Sequence, residues 1–168
     1  MKSVLLTFLL LISVIGLVLV TIARLGYWPV NATAVPSGVE WRINQSILQA
    51  SLNRQAQGLT NPVQPTSDVL RAGMKIFKMN CAGCHGQAGQ PSQWGTKGFY
   101  PRVPQFGDQP PPLSGPQMFI AIKRGIRYTG MGAWDGMLSD DDIWKVSTFL
   151  EHIGSLPPEV QADWKTAQ

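Results

Sequence analysis

At 168 residues the chain is long enough for one domain with appendages. Its formal charge is +4, but Lys2 and Arg24 flank an apolar N-terminal run, and setting them aside leaves twelve basic side chains against ten acidic ones. That balance gives no support to a nucleic-acid-binding face, and two cysteines within one short motif argue against a disulfide framework and exclude a lipid-modified N-terminal cysteine.

Residues 4–25 are apolar apart from Thr7, Ser13, Gly16, Thr21 and Arg24. A hydrocarbon core is crossed by ~20 such residues, whereas the apolar part of a cleaved signal runs to only ~7–15. Ala32-Thr33-Ala34 offers a cleavage site, but it lies well beyond the apolar run. A retained transmembrane anchor over residues 1–25 is therefore preferred to a signal peptide, and either reading exports the rest. Tyr27-Trp28 suits a membrane interface and Pro29 a stop.

Residues 26–66 are expected to form a linker carrying one amphipathic helix at about 39–57. Val39, Ile43 and Ile47 make one stripe, with Leu48 and Leu52 beside it. Such a stripe ordinarily faces a core, so packing on the next domain is preferred to a docking surface. Gly58, Asn61-Pro62 and Pro65 end the helix and stiffen the connector.

The main domain is expected at 67–155, leaving 156–168 as a tail that forms a short helix or nothing ordered. Thr66-Ser67 supplies N-caps for a helix carrying Gly73 and Phe77. Gly73 is best explained by close approach of a second helix, the last one, which Ser139 opens with Asp142 three residues on as a capping box, and whose apolar face is Ile143, Val146, Phe149 and Leu150. Residues 87–113 are rich in Gly and Pro without periodicity and predict a long ordered loop. Ser114-Gly115-Pro116-Gln117 opens a further helix that ends near Gly125.

Between the first of these helices and the loop stands Cys81-Ala82-Gly83-Cys84-His85. On one helical turn, positions i, i+3 and i+4 share a side. Two thiols and an imidazole so disposed are the attachment signature of a c-type haem: each thiol forms a thioether with a vinyl group, and His85 meets the iron. A zinc site would need a second ligand pair, and a dithiol redox motif a βαβ setting. The chain offers neither, and no second such motif, so one covalent haem c is expected.

The opposite axial position calls for a second ligand. A methionine thioether is soft, favours ferrous iron and raises the reduction potential. Met74 and Met79 are too close in sequence to His85 to reach the other face, and Met118 sits in an apolar stripe as core filler. Met131 lies between Gly130 and Gly132, which let backbone come close to a ring, while Met137 reads as a hydrophobic staple before Ser139. Met131 is preferred. His152 is more simply a helix-end dipole partner than a ligand.

On these residues the chain resembles a class I cytochrome c of the small membrane-anchored monohaem type over about half its length, roughly residues 68–153. The resemblance rests on the Gly73/Phe77 helix, the Cys81–His85 motif, the loop Gly125-Ile126-Arg127-Tyr128-Thr129-Gly130-Met131, and the terminal helix from Asp142 to Leu150. It implies an all-α fold, the cytochrome c fold, with three to four helices around one covalent haem, here preceded by the transmembrane helix and the extra amphipathic helix. It implies that the first and last helices cross near Gly73 and Phe149, and that Met131 is the distal ligand. It also implies a proline carbonyl, Pro104 or Pro101, holding the Nδ1–H of His85. Gly132 stands where a proline often follows the ligand methionine.

Trp94, Phe99, Phe106, Phe119 and Trp134 are candidate pocket lining, and Arg102 a candidate partner for a haem propionate. Lys75, Lys78, Lys97, Lys123, Arg124 and Arg127 are candidates for a basic rim that steers an acidic redox partner. A six-coordinate haem leaves one-electron transfer as the chemistry. The leading expectation is thus a carrier in a respiratory chain, anchored by membrane lipid in the cytoplasmic membrane with its haem domain on the periplasmic side. It meets redox protein partners there, free-standing or within a larger oxidoreductase complex. The alternatives are a haem enzyme or gas sensor with a labile distal site, and a structural haem subunit.

Overall fold

The computed structural model describes residues 2–107 and 109–166, so the domain boundaries expected at 1 and 168 fall outside the described residues. The chain divides into two compact units, residues 1–34 and 35–168. The first holds α1 (Lys2–Arg24), 23 residues with mean hydropathy 2.9 over its most apolar stretch, long and apolar enough to cross a membrane.

The second unit is all-helical among the described residues: α2 (Gly38–Gln55), α3 (Ser67–Asn80), α4 (Ala82–His85), α5 (Gln93–Lys97), α6 (Gly115–Arg124), α7 (Asp140–His152) and α8 (Pro158–Lys165). Its centre is the α3–α7 crossing. A Cβ built on Gly73 would sit 2.7 Å from the Lys145 carbonyl carbon and 2.9 Å from Phe149 Cβ, so only glycine lets the two backbones meet. Around this contact Leu70 and Phe77 of α3 and Ile143, Val146 and Phe149 of α7 are fully buried. Helix α6 closes one side, with Phe119 stacked on Trp144 at 4.2 Å between centroids.

The caps act much as expected. Thr66 accepts from Val69 N–H, Ser139 accepts from Asp142 N–H at 3.1 Å, and Ser114 with Gln117 makes a reciprocal box. Asp142 departs from a box: its carboxylate accepts the Ser139 hydroxyl at 2.7 Å instead of a backbone N–H.

Helix α2 packs on this unit, but by a different face from the stripe. Leu52 is buried and Leu48 half-buried, whereas Val39, Ile43 and Ile47 are 60%, 52% and 62% exposed. Rotation is set by side-chain ties: Tyr100 donates to Glu40 at 2.5 Å, Gln117 to Asn53 at 2.5 Å and Arg124 to Gln55 at 2.7 Å.

The expected tail is likewise part of the unit. Val160 and Trp164 of α8 are 0% and 1% exposed. Helix α8 is fastened to α3 by Ser67 donating to Glu159 (2.7 Å), by the Arg71–Asp163 pair (2.8 Å), and by Lys78 donating to the carbonyls of Asp163 and Thr166. The Ser67 hydroxyl holds the Glu159 carboxyl below its ordinary 4.5, with Arg71 adding to the effect. A carboxylate with a depressed folded pKa contributes stability above its unfolded value and loses it as pH falls through the folded one. Ser67→Ala should therefore lower stability slightly near neutrality and leave it unchanged in acid, so that a pH–stability profile followed by thermal unfolding falls less steeply below about pH 4.5.

Candidate functional site

Helix α3 ends at Cys81, whose backbone N–H donates to Phe77 O, and the chain turns directly into α4, bringing Cys84 and His85 round on the next turn. Both cysteines are free and half-buried. The His85 Nδ1 lies 2.9 Å from Pro104 O. A proline carbonyl can only accept, so Nδ1 carries the proton and, in the neutral ring, Nε2 keeps its lone pair. Burial lowers the pKa of His85, against the Pro104 bond that raises it, which favours the neutral imidazole a metal needs. The Phe106 ring lies 4.6 Å from the imidazole at 9°, nearly parallel, and Phe106 N–H donates to His85 O at 3.1 Å. Of the two prolines expected to hold the imidazole, the bond is to Pro104.

The loop that supplies Pro104 is held by a side chain the sequence did not single out. Gln105 accepts from Ser92 N–H (2.7 Å) and donates to Cys84 O and Val103 O (both 3.0 Å). Ser92 in turn donates to Gly83 O and caps α5, a five-residue helix inside the stretch expected to be loop. Gly95 of α5 is buried with Cys84 against it: a Cβ there would overlap the Cys84 carbonyl. Arg102 Nη1 donates to Phe99 O (2.6 Å) and Lys97 O (3.1 Å), so it closes the loop on itself.

The methionines separate by burial. Met74 and Met118 are core at 4% and 2% exposure, while Met79 and Met137 are 69% and 66% exposed. Met131 is half-buried against the core cluster. Its loop is tied at three points: Ile126 N–H donates to Met131 O (2.9 Å), Met131 N–H to Thr129 Oγ1 (3.0 Å), and Thr129 Oγ1 to Ile126 O (2.7 Å). Gly125, at φ +67°, makes the turn into it. The Gly130 backbone approaches the Phe99 ring, so close that a Cβ there would overlap it. Met137 does not act as a staple; Leu138 packs on the core in its place.

The remaining candidates divide. Phe106 and Trp134 are half-buried against the core, Phe119 is core, and Trp94 is 64% exposed beside Phe99. His152 Nδ1 is bonded to Thr148 O, one turn back in α7. Four of the six candidate rim residues have local ties: Lys78 caps α8, Lys123 pairs with Asp140 at 2.6 Å, Arg124 binds Gln55, and Arg127 lies over the Tyr128 ring.

The donor set fits a haem c better than its rivals. Burial and the neighbouring Cys84 push the Cys81 thiol up to about 12, the reverse of the lowered pKa on which dithiol redox motifs depend. Among the described residues, no group of three or more His, Cys, Asp or Glu is gathered to hold a metal ion, as zinc would require. An oriented imidazole with one nitrogen engaged, two neighbouring thiols and half-buried apolar side chains such as Ala82, Phe106 and Ile126 suit an apolar, thioether-linked ring.

The family model described as cytochrome c oxidase, cbb3-type, subunit III, matches residues 68–150. Residues 68–150 are a class I c-type cytochrome domain. No curated protein matches the chain. Among solved structures, the chain is similar to one from the reducing HAO-like protein complex of Kuenenia stuttgartiensis, at 23% identity and a TM-score of 0.37. That match covers 57% of this chain and 47% of the other, so the chain spans about half the length of that relative. The cytochrome domain carries a haem electron-transfer role, with haem c the cofactor its family implies. Helix α2, α8 and the candidate anchor α1 lie outside the matched residues.

Proposed function

We propose that the chain is a membrane-anchored monohaem cytochrome c that carries single electrons between respiratory-chain partners. One haem is joined through Cys81 and Cys84, with His85 and Met131 as axial ligands. The observation that carries this reading is the Nδ1–H of His85 held by Pro104 O beside two free thiols. The haem, when bound, supplies an iron that cycles between ferrous and ferric states.

The chain's own residues keep that centre unchanged as the charge changes. Pro104 and Phe106 fix the imidazole by edge and face. Gln105 locks the turn between the cysteines to the wrapping loop, and the Ile126–Thr129–Met131 bonds hold the distal loop where it is. Trp134 is the proposed pocket lining, and Arg102 the proposed propionate partner. Fixed ligands and excluded water keep reorganisation small, which is the protein's contribution to electron transfer. A distal loop tied at three points also weighs against a labile-ligand enzyme or gas sensor.

α1 is the proposed lipid anchor, in the cytoplasmic membrane with the haem domain on the periplasmic side, where covalent haem attachment takes place in cytochromes of this kind. Tethering raises the effective concentration at membrane partners. A second reading, a subunit built into a larger oxidoreductase complex, is favoured by the matching family being named for a subunit of a cbb3-type oxidase.

The test is the detergent-extracted full chain from cells able to mature c-type cytochromes. It should retain haem through a denaturing gel, with one haem per chain and a low-spin ferric spectrum. Cys81→Ala combined with Cys84→Ala should abolish the gel-retained haem. A wild-type chain without gel-retained haem would sink the proposal.

A further inference from the structure

We propose that Trp164 of α8 is a positioning residue for His85, acting through Gly107 and Phe106. This rests on the reading of His85 as an axial ligand. The two contacts that orient the imidazole both come from one short segment. Pro104 O takes its Nδ1–H at 2.9 Å, and Phe106 stacks on its face at 4.6 Å. The far end of that segment is tied to α8: Trp164 Nε1–H donates to Gly107 O at 3.0 Å.

The indole is itself anchored. It is 1% exposed and makes edge contacts with Phe77 (5.8 Å, 70°) and Phe149 (5.2 Å, 69°), the residues that flank the α3–α7 crossing. Lys78 Nζ lies 5.8 Å from the ring centre on the way to the α8 carbonyls, and the Ser67–Glu159 and Arg71–Asp163 contacts fasten the helix further along. Phe77 closes the circuit at 6.5 Å from both Phe106 and His85. The wrapping loop could otherwise shift against the core. The Trp164 hydrogen bond joins them at the residue after Phe106, so the imidazole plane is referred to the rigid helix crossing and not to the loop alone. Groups that bond to a ligand's supports set its orientation and the electronics of the metal it binds. Helix α8 lies beyond residue 150, where the family match ends, so the match does not cover this brace.

Trp164→Phe keeps an aromatic ring and removes the N–H. The readouts are ferric electron paramagnetic resonance g-values and the hyperfine-shifted haem-methyl proton signals, both of which follow the imidazole plane, together with the reduction potential. Trp164→Phe should shift all three while gel-retained haem stays at the wild-type level, and Phe106→Leu should shift the same signals. Val160→Ala loosens the same helix while keeping the indole N–H and its Gly107 acceptor, and should lower the unfolding midpoint while leaving g-values and potential where they were. Wild-type signals in Trp164→Phe, or an equal shift in Val160→Ala, would overturn the inference. Should Trp164→Phe fail to fold, benzothienylalanine at position 164, near tryptophan in volume and without an N–H, gives the same comparison. A His85→Ala chain that keeps the wild-type g-values would remove the axial role of His85, and the brace with it, and is separable from a silent Trp164→Phe.

Discussion

Gly73→Ala should cost at least about 3 kcal/mol of folding stability, the upper end of the range for overpacking, even though alanine in a helix interior ordinarily gains about 1 kcal/mol over glycine. The reversal has a specific cause. The new methyl would overlap the Lys145 carbonyl oxygen and lie 2.9 Å from Phe149 Cβ. Most of what it meets is backbone, and backbone cannot rotate away as a side-chain tip does. Relief requires α3 and α7 to separate, and that opens the packing of Leu70, Phe77, Val146 and Phe149 together. Domains of this size have about 5–15 kcal/mol in total, so urea unfolding followed by far-ultraviolet circular dichroism should show the midpoint falling by a large fraction. Gly38→Ala, where a Cβ meets nothing within 4 Å, should stay within about 0.5 kcal/mol of wild type. Equal effects at the two glycines would mean that the crossing is not the keystone of the unit.

That crossing was legible in the sequence because its signals are local: a cap at Thr66, a cap at Ser139, and apolar periodicity pointing Phe77 and Phe149 inward. Helix α2 shows the limit of periodicity. Its sequence contains two apolar lines, and nothing local says which is buried; long-range partners at Tyr100, Gln117 and Arg124 settle the rotation. Helix α8 was obscured by Pro157-Pro158, which reads as a stop after α7. Pro158 is also the first residue of a new helix, where its missing N–H costs nothing, and Val160 and Trp164 at i, i+4 were the available sign of a buried face. Five-residue α5 is too short to show a period within a Gly- and Pro-rich stretch.

The site divides in the same way. Cys81, Cys84 and His85 stand out because thioether attachment and iron ligation demand fixed spacing along one turn. Gln105 does not, since its partners Ser92 and Cys84 are 13 and 21 residues away and an amide in a loop matches no local pattern. Gly130 reads in the sequence as room for a ring to approach; in the structure its backbone also meets the Phe99 ring, a contact between distant loop segments that no local pattern announces.

Met131→Ala should leave the haem attached and change its ligation. The backbone around residue 131 is held by Ile126 N–H, by Thr129 Oγ1 and by the Gly125 turn, none of which uses the methionine side chain. The substitution therefore removes a thioether and little else, and the attachment through Cys81, Cys84 and His85 is untouched. On the proposed ligation, the ferric thioether charge-transfer band should vanish. The reduction potential should fall, because a soft sulfur stabilises ferrous iron, and carbon monoxide uptake by the reduced chain should rise from a trace to about one equivalent per haem. Met137→Ala, at a side chain 66% exposed, should alter none of these. Optical titration of both variants decides between the two sulfurs. A Met131→Ala spectrum identical to wild type would remove Met131 from the iron, and a changed Met137→Ala spectrum would put Met137 there. Burial is the physical reason to expect the first variant alone to respond: an axial thioether has to be kept from water, and Met131 is packed against the core while Met137 is not.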